Sequence, residues 1–307
     1  MLVALVCAGW LAAADSAGPG EFATVEIPGP AGAQRALWWA PAANRTVPLL
    51  VALHTWSGDY LQRDSQEYLR RAQARGWAVI HPDFRGPNIR PQACGSDLAV
   101  ADVVAAVRYA QKAARIDPRR IYLAGASGGG YMSLLMAARH PEIWAAVTSW
   151  VPITDLAAWH AECTARGLKY ARDLEQVFGG PPTPGEAARE YRYRSPLFHL
   201  GAARGLPLDI NAGIHDGHTG SVEISHALRA FNVLAGPAAA IPEEAIRYMV
   251  ERERVPPGTA PAAPDSAYAK PVLFRHAAEP ARVTLFDGGH EILYDAAFAW
   301  LERHARR

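Results

Sequence analysis

Cysteine, lysine and methionine are scarce in this chain: three, three and four residues among 307. The cysteines, Cys7, Cys94 and Cys163, form no CxxC pair and no Cys/His cluster with zinc-ligand spacing, so no metal site and no cofactor is expected. The lysines are Lys112, Lys169 and Lys270 alone, and the remaining basic residues are all arginine, a bias of base composition with no functional reading. No run of like charges occurs, and 31 basic against 30 acidic side chains leave a net charge of +1. The electrostatic footprint of a nucleic-acid binder is therefore missing. No apolar run approaches the roughly 20 residues that a membrane-spanning helix requires. Core-forming material is what the chain does have: 50% of residues are hydrophobic and 20% charged, which excludes a disordered chain and fits one large domain.

Residues 2–14, LVALVCAGWLAAA, are apolar and end in small residues before Asp15 and Ser16. The pattern is that of a signal peptide with its positive region reduced to the terminal amine, so export to the periplasm or the medium is expected, with residues 1–20 as leader and tail and 21–307 as the folded domain. Removal of the leader would take Cys7 with it. Cys94 and Cys163 would then be free to pair in an oxidising compartment.

Strand-like runs alternate with helix-period segments along the rest of the chain. VPLLVALH (47–54), a polar helix through residue 75 and WAVIHPDF (77–84) set the rhythm. A helix from Asp97 to Ala114 follows, with Val100, Val103, Val104 and Val107 at helical spacing, then RIYLAGAS (120–127) as a buried strand. A helix from Gly128 to His140, strands at 145–152 and 206–214, a helix at 221–235, a strand at 281–288 and a final amphipathic helix complete the series. Such alternation predicts an α/β fold, a mostly parallel sheet with helices on both faces. Two segments break it, 155–195 and 236–270. Both read as insertions, the first as a small helical cap, at the sheet edge where ligands bind.

Gly125-Ala126-Ser127-Gly128-Gly129 fits G-x-S-x-G, with a β-rich run entering and a helix-compatible run leaving. That context is the strand, sharp turn and helix of a nucleophile elbow, in which a strained serine is held at a helix amino terminus. A serine hydroxyl needs a base, and the base needs a carboxylate that fixes its tautomer. Asp216 follows one apolar strand and His290 follows the last, both at the same sheet edge as Ser127. His215 and His218 compete for the role of base, but they stand too near Asp216 to bridge it to Ser127. Asp209, within a strand, and Asp287, beside His290, read as local hydrogen-bonding residues. An oxyanion needs two preorganised donors. Gly128 N–H is one, and Trp56 N–H, in His54-Thr55-Trp56-Ser57-Gly58, is the other.

The chain resembles the prolyl-oligopeptidase catalytic domain of the α/β-hydrolase superfamily in HPDFRG (81–86), in residues 117–156 around the elbow, in YRYRSPLFHL (191–200), in the Asp216 segment and in GGH (288–290). The resemblance implies the α/β-hydrolase fold and a catalytic triad of Ser127, Asp216 and His290. Thr55 departs from the glycine often found there, Val222 stands later after the acid than usual, and no propeller is expected ahead of the hydrolase domain. The expected activity is that of a serine esterase on small or carbohydrate-linked esters, with peptidase activity on short peptides as the alternative. Trp56, Tyr131 and Trp159 are expected to wall the pocket, and Arg85 and Arg90 are candidates to meet an acidic substrate group.

Overall fold

The computed structural model describes residues 21–307 apart from residues 30, 43 and 64. Residues 1–20, expected from the sequence to be leader and tail, and Cys7 among them, lie outside the described residues. Among the described residues nine strands form one sheet in the order β1-β2-β4-β3-β5-β6-β7-β9-β8. They are β1 (Ala23–Gly29), β2 (Gly32–Trp39), β3 (Val47–Leu53), β4 (Ala78–Pro82), β5 (Ile116–Ala126), β6 (Ala146–Trp150), β7 (Leu208–Gly213), β8 (Val272–Ala278) and β9 (Ala281–Phe286). The pairings from β4 through β3, β5, β6 and β7 to β9 are all parallel, whereas β1–β2, β2–β4 and β8–β9 are antiparallel. The sheet is thus mostly parallel and covered by helices on both faces, the α/β-hydrolase fold.

Composition explains the interior strands. VPLLVAL of β3 and AVTSW of β6 are buried at every position, as parallel strands covered on both faces must be. The antiparallel additions have a different grammar. In β1, Val25 and Ile27 are buried while Glu26 between them is exposed, a period of two that marks a strand with one face open to water. Neither the β1–β2 hairpin nor β8 interrupts the βαβ rhythm, which is why reading that rhythm alone passes over them.

The helices are α1 (Gln66–Ala74), α2 (Asp97–Ala113), α3 (Gly128–Arg139), α4 (Leu156–Ala165), α5 (Tyr170–Phe178), α6 (Glu186–Arg194), α7 (Ser225–Ala235), α8 (Glu243–Arg252) and α9 (Tyr294–Leu301). Helix α3 is buried from Gly128 to Ala138. Tyr68 of α1 packs edge-on against Tyr294 of α9 with ring centroids 4.9 Å apart. The segment 155–195 forms three short helices, α4 to α6. The first starts at Asp155, whose carboxylate accepts from the Ala157 and Ala158 amides and so satisfies two of the donors a helix start leaves open. The segment 236–270 contributes α8 and then irregular chain.

Cys94 and Cys163, which an oxidising compartment would leave free to pair, are not joined: both are free, buried thiols. Cys163 is enclosed in α4, and Cys94 sits in the turn before α2, held by its amide on Asn88 Oδ1 at 3.0 Å. Packing, not a covalent staple, holds the segments together.

Candidate active site

A single residue, Ser127, separates the end of β5 from the start of α3, and its backbone adopts φ 55° and ψ −118°. A non-glycine residue held there carries strain of roughly 1–3 kcal/mol, which the surroundings must over-determine. They do so with two hydrogen bonds: Ser127 N–H donates to Trp150 O at 2.9 Å, and its carbonyl accepts from Tyr131 N–H at 2.8 Å. Two glycines make the turn possible. A Cβ on Gly125 would sit 2.3 Å from Gly129 O, and one on Gly128 would sit 2.3 Å from the main-chain nitrogen of Trp56. The elbow therefore presses directly on the loop after β3. There Gly128 abuts the main chain of Trp56, and neither amide donates to another group among the described residues.

Asp216 lies just past β7 with its carboxylate fully buried. Oδ1 accepts from the amides of Gly217 at 2.9 Å and Val222 at 3.2 Å. Oδ2 lies 2.7 Å from Nδ1 of His290, which follows β9. Because the carboxylate only accepts, Nδ1 carries the proton, and Nε2 is left as the basic nitrogen. His290 and Ser127 line the same cleft, of about 760 Å³, together with Trp56, Tyr170, Ile292 and Tyr294. Its rim is charged: Glu67 Oε2 meets Arg70 Nε at 3.2 Å within it.

The loop that presents Trp56 is clamped from several sides. Gln62 accepts from the Thr55 amide and donates to Thr55 Oγ1, both at 2.8 Å, and Asn88 N–H holds the Trp56 carbonyl at 2.8 Å. Beneath it, His54 stacks on Phe84 with centroids 3.9 Å apart and an angle of 7°. Burial pushes the His54 imidazole below its ordinary value, against hydrogen bonds to the Thr55 and Asp83 carbonyls that raise it.

This arrangement sits on a chain whose residues 66–251, more than half of it, match the model of the prolyl oligopeptidase family. The chain belongs to the prolyl oligopeptidase family. It is a member of a serine hydrolase family, and the matched span contains Ser127 and Asp216, with His290 beyond its end. Among solved structures it resembles the acylaminoacyl peptidase of Pyrococcus horikoshii, at 17% identity and a TM-score of 0.56, over 69% of this chain and 34% of that one. A puromycin-hydrolyzing peptidase of Mycobacterium tuberculosis matches at 17% identity and a TM-score of 0.60, over 90% of this chain and 37% of that one. An acetyl xylan esterase from Paenibacillus sp. R4 matches at 16% identity and a TM-score of 0.61, over 92% of this chain and 84% of that one. The chain spans little more than a third of the length of the two peptidases. At these identities the likeness is one of fold.

Against the family frame, the remaining residues singled out in the sequence separate clearly. His215 turns away from the cleft, with Nδ1 2.7 Å from Glu253 Oε2 and Nε2 3.2 Å from Asp287 Oδ1. His218 Nε2 meets the Val250 carbonyl at 2.7 Å. Both histidines serve to bind α8 and the chain after it to the loop that carries Asp216. Asp209 is buried in an ion pair with Arg282 at 2.6 Å. Arg85 and Arg90 do not face the cleft either: Arg85 Nε pairs with the buried Asp102 at 2.6 Å, and Arg90 donates to the Arg85 carbonyl.

The expected aromatic wall needs correction. Trp56 lines the cleft, but Tyr131 and Trp159 are fully buried and do not. Tyr131 donates its hydroxyl to the Arg194 carbonyl at 3.0 Å, tying α3 to the cap. Trp159 packs edge-on against Trp56 with centroids 4.7 Å apart, so it backs the wall without forming it. The other aromatic residues that face the cleft, Tyr170 and Tyr294, carry no motif. Only the packing of α5 and α9 identifies them.

Proposed function

We propose that this hydrolase cleaves carboxylic esters, small or carbohydrate-linked, through an acyl-enzyme formed on Ser127. The observation that carries the reading is the 2.7 Å contact between His290 Nδ1 and Asp216 Oδ2 at the edge of a cleft that His290 shares with a strained Ser127. In this reading His290 Nε2 takes the Ser127 proton as Oγ attacks the ester carbonyl. The oxyanion that forms is held by the Gly128 and Trp56 amides. Collapse expels the alcohol, which receives the proton from His290. Water, activated by His290 in turn, attacks the acyl-serine and releases the acid. Asp216 holds the imidazole in the tautomer that each step requires.

Support for a small substrate comes from the cleft, whose volume of about 760 Å³ falls within the roughly 300–1,000 Å³ of small-molecule sites. The acetyl xylan esterase is also matched over most of its own length, unlike the peptidases. Family membership favours a second reading, cleavage of short peptides by the same three residues.

Turnover of p-nitrophenyl acetate, acetylated xylooligosaccharide, methyl ferulate and proline p-nitroanilide, with Ser127→Ala as control, separates the two. Ester turnover that vanishes in the variant, with no anilide cleavage, is the expected result. Anilide cleavage that depends equally on Ser127 would replace the esterase reading by the peptidase one.

A further inference from the structure

Among the contacts by which the cap reaches the loop after β3 is one carboxylate. Asp173, on α5, accepts from Trp56 Nε1 at 3.2 Å and pairs with Lys169 Nζ at 3.1 Å. Lys169 Nζ in turn lies 3.0 Å from Ser57 Oγ, in the same loop. The two bonds to Asp173 differ in kind. Lys169 is 54% exposed, and an ion pair of this type contributes little in water. The indole belongs to a residue only 2% exposed, where an N–H left without an acceptor is penalised by its desolvation.

The core grips Trp56 by its main chain, through Asn88 and, one residue earlier, through Gln62. The cap grips it by its side chain, through Asp173 and the rings of Trp159 and Tyr170. Both grips converge on the residue whose main-chain nitrogen abuts Gly128. We propose that Asp173 is a positioning residue for the reaction at Ser127: by holding the Trp56 indole it orients the Trp56 amide toward the developing oxyanion, so that a seated cap completes the oxyanion site. The inference rests on the serine-hydrolase reading above. It assigns the cap a function beyond walling the cleft, because displacement of α5 disturbs the donor as well as the space. A misplacement of about 1 Å at a reacting centre is enough to cost on the order of 100-fold in rate.

Steady-state kinetics on p-nitrophenyl acetate test it with Asp173→Ala, Asp173→Asn, Trp56→Phe and the double variant Asp173→Ala/Trp56→Phe. Loss of the carboxylate is expected to lower kcat roughly tenfold with KM within about twofold, because the lost interaction serves the transition state and not the bound ester. Asp173→Asn keeps an acceptor oxygen for the indole and is expected to recover most of the rate. Trp56→Phe removes the donor and is expected to match Asp173→Ala, and the double variant to be no worse than either single one. An unchanged kcat in Asp173→Ala, a rise in KM alone, or additive losses in the double variant would overturn the proposal. If Trp56→Phe does not fold, the contrast between Ala and Asn at position 173 decides by the same criterion. Ser127→Ala, assayed in parallel, distinguishes the two levels. Turnover indifferent to Ser127 overturns the hydrolase reading together with this one, whereas turnover lost with Ser127 but indifferent to Asp173 overturns only the positioning role.

Discussion

Nδ1 of His290 lies 2.7 Å from Oδ2 of Asp216, although 74 residues separate them. Two backbone amides fix the carboxylate from its other side, so the aspartate is rigid and the imidazole takes its orientation from it. Replacement of Asp216 by asparagine preserves the shape but offers an N–H where the histidine needs an acceptor, and the wrong tautomer follows. We expect kcat on an activated ester to fall by about 10⁴-fold with the fold intact by circular dichroism. A loss smaller than about tenfold would remove Asp216 from the reaction.

The close approach of the elbow to the β3 loop sets a second expectation. A methyl group on Gly128 would lie 2.3 Å from Trp56 N and 2.5 Å from its Cα. Those are main-chain atoms and cannot swing aside, so Gly128→Ala must push the two amides apart. Turnover is expected to drop at least 100-fold, on the scale of losing one oxyanion donor. Labelling of Ser127 by a fluorophosphonate should slow in parallel, and labelling at the wild-type rate would show that the amides do not act together.

Cys94 and Cys163 should behave as core residues. Burial pushes each thiol up to about 12, and the thiolate is the reactive form. In the native protein neither is expected to react with a thiol reagent at neutral pH. Both are expected to react once guanidinium unfolds the chain. Peptide mapping that finds the two joined, or modified in the folded state, would contradict the packing described above.

Acid sensitivity is expected from His81. Burial, with a further push from neighbouring His54, lowers its imidazole from 6.5 to about 3. Between those values the unfolded chain binds a proton that the native state does not. Stability is therefore full above about pH 6.5 and is lost as pH falls toward 3. His54, also lowered by burial, contributes in the same direction. His81 Nδ1 lies 2.8 Å from the Tyr60 carbonyl, and asparagine is able to donate there without titrating. His81→Asn should thus show a shallower fall in Tm between pH 7 and pH 5 than the wild type, and parallel curves would refute the assignment.

Much of this molecule was legible before any coordinates. The parallel strands are largely apolar runs bounded by turns, so β3 to β7 and β9 emerge from local pattern. The elbow is a contiguous motif whose glycines have a steric purpose at each place. Asp216 and His290 each follow a strand, and strands that run parallel deliver their carboxyl ends to one edge. Residue type, spacing and strand polarity thus suffice to nominate all three residues.

Tertiary structure alone decided what surrounds them. Whether Trp159 faces the cleft or stands behind Trp56 depends on the angle at which α4 meets the loop, and a buried tryptophan and a pocket-wall tryptophan are alike in sequence. The same holds for Arg85, whose partner Asp102 stands on α2, and for Cys94 and Cys163, whose burial as free thiols is not visible in their spacing. Asp173 is the clearest case. One carboxylate on an amphipathic helix carries no mark of its contact with Trp56, 117 positions earlier. Local chemistry is written in short stretches of chain, whereas contacts between an insertion and its scaffold arise from packing that no short stretch contains.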